Sequence, residues 1–254
     1  MLKKRIIPVQ LLIGKRLVKT IQFDKYRDVG NPVTSSKVYN YADADELVFL
    51  NIDRECRTVE PFLSLIKDVS EVCFMPLSLG GGIQTIQDAE LLIRNGADKI
   101  VLNSALYTDL SLISRIGDKF GSQAVIVSID VKFDFSENRY RLYSDCGRRK
   151  ENVPLEQHVK STIEHGAGEI LVNAIDRDGT MEGYDIELIR MIVDYSRIPV
   201  IACGGAGNFE HMKNAFLETN VSALACGSLF NFGDNNPLRA KAFLSNYDLH
   251  FKVI

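Results

Sequence analysis

Several features are missing from the sequence, and each absence narrows the options. The five cysteines, Cys56, Cys73, Cys146, Cys203 and Cys226, are odd in number, scattered, and form no CxxC pair. Zinc-finger spacing is therefore absent, and free thiols in a reducing compartment are expected. Charge of one sign is not in excess: 30 Lys and Arg stand against 33 Asp and Glu, for a formal net charge of −3. A dedicated nucleic-acid binder would carry a basic surplus. No apolar run approaches the length of a membrane span. The stretch Met1–Val9 starts basic but lacks the apolar core of a signal peptide. The expected location is the cytoplasm, with neither nucleic acid nor membrane as partner. The sequence points to no metal and no cofactor.

What is present is a regular alternation. The 254 residues are 46% apolar, enough for a sizeable core without a disulfide or metal staple. Short apolar runs recur at Arg5–Val9, Glu46–Asn51, Met75–Leu79, Lys99–Leu102, Ala124–Asp130, Glu169–Asn173, Pro199–Ala202 and Ala223–Ala225. Continuously apolar runs suit strands of a parallel sheet covered by helices. Helical patterns lie between them at Ile86–Asn95, Leu110–Phe120, Leu155–His165, Ile186–Tyr195 and Phe209–Glu218. Asp88, Asp185 and Glu210 place negative charge near first turns, and Asn95-Gly96 and His165-Gly166 are stop signals. Eight β-then-α units of about 32 residues predict a single (β/α)8 barrel over residues 1–254. The rival, a doubly wound open sheet, usually carries a Gly-rich fingerprint after strand one. Gln10-Leu11-Leu12-Ile13-Gly14 does not match it.

The chain repeats itself. Asp43–Asp53 resembles Gly166–Asp176, and Met75–Gly82 resembles Ile198–Gly205, both at an offset of 123 residues. Asn103-Ser104 aligns with Gly227-Ser228 one residue further on. Two half-barrels of four units each are predicted.

The Gly-rich strand ends are the strongest chemical signal. Gly80-Gly81-Gly82 and Gly204-Gly205-Ala206-Gly207 occupy matched positions, each ahead of a helix. Such turns let backbone N–H groups converge on an anion, and the next strand of each half ends in a serine. Tight βα turns need the same glycines with no ligand at all. Two matched sites imply a ligand with two separated phosphates. Asp130, at the end of the fifth strand, is placed for general acid or base work, or as a loop cap. Asp176-Arg177-Asp178-Gly179-Thr180 ends the sixth strand, where the acids brace the loop or hold ligand hydroxyls. Residues 133–143 read as a hairpin inserted after strand five and covering the mouth. The weakly patterned tail Tyr247–Ile254 either frays or packs under the barrel.

Across nearly its whole length the sequence resembles the cyclase subunit of imidazole glycerol phosphate synthase, the HisF family. The resemblance rests on Arg5–Pro8, Arg27–Val33, Ala44–Leu50, Leu79–Ile83, Gly96–Lys99, Phe120–Gln123, Gly166–Leu171, Asp176–Thr180 with Gly183–Asp185, and Ile198–Ala202 with Gly204–Gly207. It implies a half-barrel-duplicated fold and a heterodimer with a HisH-like glutaminase docked on the barrel bottom. Ammonia then passes through the barrel to a bisphosphorylated ribulosyl substrate at the top. It also implies an ammonia gate at Arg5, Glu46, Lys99 and Glu169, whose alternative reading is a purely structural salt-bridge cluster. Phosphate ligands are implied at Gly82, Asn103 and Ser104 in one half and at Gly179, Gly205, Gly227 and Ser228 in the other. Lys19 matches the lysine at the start of a mobile first loop.

The departures are as informative. The family's two catalytic aspartates align with Asp130 and with Leu11, and leucine cannot exchange a proton. Asn51 stands for an Asp, Asn173 for a Thr and Cys203 for a Ser. This pattern resembles a HisF-like paralogue group associated with surface polysaccharides. There the barrel and a glutaminase supply ammonia to a sugar amidotransferase that turns an acetamido group into an acetamidino group. Three readings follow: that ammonia-channelling role, a working cyclase in histidine biosynthesis, or a non-catalytic scaffold activating a glutaminase.

Overall fold

The computed structural model describes residues 3–252. Positions 1–2 and 253–254, the outer ends of Met1–Val9 and Tyr247–Ile254, lie outside the described residues. The elements run β1 (Arg5–Ile13), β2 (Arg16–Thr20), β3 (Tyr26–Gly30), α1 (Pro32–Tyr41), β4 (Leu47–Asn51), α2 (Glu60–Ser70), β5 (Leu77–Gly80), α3 (Ile86–Arg94), β6 (Lys99–Leu102) and α4 (Ser111–Phe120). They continue with β7 (Val125–Asp134), β8 (Arg139–Ser144), β9 (Arg149–Lys150), α5 (Leu155–Glu164), β10 (Glu169–Ala174), α6 (Ile186–Tyr195), β11 (Val200–Cys203), α7 (Phe209–Thr219), β12 (Ala223–Cys226), α8 (Ser228–Asn231) and α9 (Pro237–Leu244).

Eight of these strands close a parallel barrel. β1 pairs with β4, and the ring continues through β5, β6, β7, β10, β11 and β12 back to β1. The fold is the (β/α)8 barrel expected from the alternation. The repeat is visible in the register. Leu47 pairs with Leu77 in the first half and Ile170 with Val200 in the second, each displaced by the same 123 residues.

Strand alternation separates two apolar regions. Outward residues such as Ile6, Phe49, Leu79, Ile100, Val127 and Ile170 pack against the helices. Inward residues such as Ile7, Val48, Ile126, Leu171 and Ile201 fill the barrel interior. The helix signals behave as their chemistry requires. Thr85 and Asp88 form a reciprocal capping box on α3, and the Asp185 side chain accepts from the Leu188 N–H at the start of α6. Asn95 and His165 cap α3 and α5, each followed by a positive-φ glycine.

Two additions depart from the simple barrel. β2 and β3 form an antiparallel strap off the top of β1, and β8 and β9 extend β7 into the inserted hairpin. Of the two options for the tail, the described part packs: Leu249 and Phe251 are buried, and the Lys4 N–H donates to the His250 carbonyl at 2.8 Å.

Candidate functional site

At the N-terminal end of the barrel, four charges from four chain segments meet. Arg5 bonds Glu46 through Nη1 and bonds Glu169 through both terminal nitrogens, the Nη2 contact being 2.7 Å. Lys99 Nζ completes the circuit, 2.9 Å from Glu46 and 2.7 Å from Glu169. The circuit is largely buried. Burial opposes the charge on Glu169, yet the Arg5 guanidinium and the Lys99 ammonium outweigh it and hold its pKa below the usual value. Burial likewise opposes the Arg5 charge, but its two carboxylate partners raise its pKa. The four residues that the family resemblance groups as a set are thus brought into contact. Above them the interior is mostly apolar, with Ile7, Val48, Ile126, Leu171 and Ile201, but it also holds the fully buried Ser78, in register with Val48, whose Oγ has no hydrogen-bond partner among the described residues.

At the opposite end the βα loops surround a cavity of about 780 Å³. Active sites of this fold lie at this face. Leu11, Lys19, Gly82, Asn103, Ser104, Asp130, Gly179, Gly205, Gly227 and Ser228 all line it. In the first half, Gly82 has φ +81°, and a Cβ there would fall 2.6 Å from the Thr58 carbonyl oxygen, so only glycine fits. The Ser104 hydroxyl is already engaged, accepting from the Asp145 N–H at 3.0 Å. Asp145 belongs to the turn between β8 and β9, so the inserted hairpin does reach over the mouth. In the second half, Ser228 Oγ is buried without a hydrogen-bond partner among the described residues. Lys19 Cε lies close enough to Gly227 that a Cβ there would approach it to 2.9 Å.

The strap is tied to the β10–α6 loop. Lys19 Nζ and Thr20 Oγ1 each sit 2.7 Å from an Asp178 carboxylate oxygen. Asp176 accepts from the Phe133 N–H at 2.7 Å. Both acids thus brace loops, the first of the two roles that the sequence allows them. Thr20 and Arg54, which also faces the cavity, carried no local signal. Their importance depends on loops that meet only in three dimensions.

Asp130 lies on β7 and is almost fully buried. Its carboxylate accepts from Asn103 Nδ2 at 2.9 Å, from Asn173 Nδ2 at 3.2 Å and from Ser128 Oγ at 3.5 Å. Burial pushes its pKa up to about 7, further than these donors pull it down. Leu11 lies between Val18 of β2 and Leu50 of β4 and joins the apolar interior with Val9 and Val48.

Comparison with known proteins places the chain in a family. A family model described as histidine biosynthesis protein matches residues 5–236. The chain belongs to this family. Over 97% of this chain and 96% of the relative, it is 41% identical to a protein from Leptospira borgpetersenii named as imidazole glycerol phosphate synthase subunit HisF. Over 91% of this chain and 92% of the relative, it is 43% identical to one from Pseudomonas aeruginosa named as subunit hisF2 of the same synthase.

For this HisF-type chain the mouth offers one titratable acid poised near neutrality, surrounded by amide donors. Asn51 turns its amide into the β4–α2 loop, donating to the carbonyls of Cys56 at 3.0 Å and Thr58 at 3.2 Å. Cys203 is a thiol whose pKa burial raises strongly, so it lies in the mouth as a neutral group. Among the described residues no helix is long and apolar enough to cross a membrane.

Proposed function

We propose that this HisF-type subunit receives ammonia from a HisH-like glutaminase docked on the barrel bottom and carries it through the barrel without closing the imidazole ring. The observation that carries the reading is Leu11. It puts an alkyl group in the apolar interior at the position where the family resemblance calls for the second acid, leaving Asp130 alone. Loss of one member of an acid–base pair costs about 10²–10⁴-fold in rate. At the other end, the complete circuit of Arg5, Glu46, Lys99 and Glu169 supports an entrance selective for a small neutral amine. An ammonium ion entering the apolar interior would face a large desolvation cost, so ammonia crosses uncharged.

The ammonia leaving the mouth serves the amidination of a surface-polysaccharide sugar, acetamido to acetamidino, by a separate amidotransferase. Residues 1–254 act as one barrel domain in a cytoplasmic heterodimer. The Gly-rich cradles with Ser104 and Ser228 hold a phosphorylated ligand, aided by Lys19. The names of the relatives favour a second reading, a working cyclase in histidine biosynthesis.

The test is co-purification with a glutaminase followed by measurement of ammonia transfer in the complex with glutamine. Lys99→Ala and Glu169→Ala are expected to uncouple glutamine hydrolysis from ammonia delivery while leaving the complex assembled. Unchanged coupling in both variants contradicts the conduit. It returns the barrel to the third reading, a scaffold that activates the glutaminase.

A further inference from the structure

Four cationic side chains face the mouth cavity: Lys19, Arg54, Arg57 and Arg149. Three have carboxylate partners. Lys19 pairs with Asp178 at 2.7 Å, Arg57 with Asp145 at 2.5 Å and Arg149 with Glu151 at 2.6 Å. Arg54 is different. Its one side-chain hydrogen bond among the described residues runs from Nη2 to the Phe23 carbonyl at 3.1 Å, and it has no carboxylate partner there. A guanidinium presents five donors in a planar fork, so most of its capacity is unused. It is also half-buried, where an unmatched charge is costlier than at an open surface.

Part of the wall of the same cavity is apolar. Leu11, Ile13, Leu50 and Ile52, from β1, β4 and the residue after β4, line the same cavity and pack on the barrel's inner cluster. The opposite wall carries Ser128, Asp130 and Asn173. The mouth thus offers amides and Asp130 from β7 and β10, an alkyl surface from β1 and β4, and, after β4, the Arg54 guanidinium, whose sequence neighbours Asp53 and Glu55 line the cavity without an ion pair to it among the described residues.

We propose that Arg54 and this wall form a subsite for a carboxylate-bearing small molecule with a short apolar stem. The stem lies on Leu11 and Leu50, and the carboxylate meets the free edge of the Arg54 fork. A bidentate guanidinium–carboxylate contact is the geometry this side chain favours. A bare phosphate has no use for the alkyl wall, and the glycine cradles offer it backbone donors instead. The subsite stands independently of the ammonia-conduit reading, since it rests on the mouth alone.

The probes are sodium butyrate, sodium acetate, n-butylammonium and inorganic phosphate, titrated into the full chain and followed by methyl NMR of leucine and isoleucine. Butyrate is expected to shift the Leu11 and Leu50 methyls and to bind about tenfold more tightly than acetate, because two further methylenes are buried. Butylammonium is expected not to bind. Arg54→Gln should weaken butyrate at least tenfold and leave any phosphate response within threefold. Arg54→Lys, which keeps the charge but not the fork, should fall between. The proposal is overturned if butyrate does not bind, if acetate binds equally well, or if Arg54→Gln leaves butyrate affinity unchanged. It is also overturned if Arg54→Gln weakens butyrate and phosphate together, because the variant would then be acting through the strap or the fold. A failure of phosphate alone to bind the wild-type chain counts against the phosphate cradles and leaves this subsite standing.

Discussion

Asp130 and Asn173 occupy registered positions on β7 and β10, and the Asn173 amide nitrogen lies 3.2 Å from an Asp130 carboxylate oxygen. The contact joins the acid of one β/α unit to the strand of the next. It leaves Asp130 with amide and hydroxyl donors and no cationic partner among its hydrogen bonds.

A pH signature follows. The folded-state pKa of Asp130, about 7, lies above its value in an unfolded chain. The associated stability is therefore fully present at low pH, where the acid is protonated in both states, and is lost as pH rises through about 7. Asp130→Asn removes this titration. The variant is expected to gain up to about 4 kcal/mol relative to wild type between pH 4 and pH 8. Urea unfolding of both proteins at the two pH values measures the difference. An equal gap at both contradicts the assignment.

The charge circuit at the barrel bottom behaves in the opposite direction. The Glu169 pKa is held low once folded, so its contribution is present above the ordinary carboxylate range and is lost as pH falls through the depressed value. Lys99→Ala leaves Glu46 and Glu169 competing for Arg5. It is expected to destabilise the fold by about 3–5 kcal/mol at neutral pH and by less in acid. Chemical unfolding at pH 7 and pH 4 checks this, and a cost independent of pH argues that the circuit is only packing.

At the mouth, Asp178→Asn removes the carboxylate that holds both Lys19 and Thr20. Amide hydrogen exchange in residues 20–23 is expected to speed up at least about tenfold as local opening of the strap becomes easier. Unaltered exchange shows that the strap is held by its strand pairing with β1 instead.

The barrel was legible because its signals are local. β6 and α6 coincide with Lys99–Leu102 and Ile186–Tyr195 as read from apolar runs and helical periodicity. The other strands agree to within a few residues, β1 running on to Ile13 and β7 to Asp134 because each continues into a hairpin partner. The strap was not legible. Tyr26–Gly30 is exposed or half-buried throughout and carries no apolar stripe. In α1 only Pro32, Ser36 and Tyr39 are buried, which gives a weak pattern. α2 buries Phe62, Leu65, Ile66 and Val69, a readable helical spacing that the alternation of strands overshadowed. Site pairs such as Lys19–Asp178 and Ser104–Asp145 join residues far apart in sequence, and only the closed barrel brings their loops together.

On the proposed reading the entrance circuit is complete while the acid pair at the mouth lacks one member. The most direct measurement supplies the purified chain with ammonium and the bisphosphorylated ribulosyl substrate and follows the substrate's consumption. With Asp130 ionised or not, turnover is expected to be at least about 10²-fold below that of a cyclase carrying both acids at any pH between 6 and 9. Conversion to imidazole glycerol phosphate by the wild-type chain, with Leu11 in place, at the rate of a two-acid cyclase would contradict this reading.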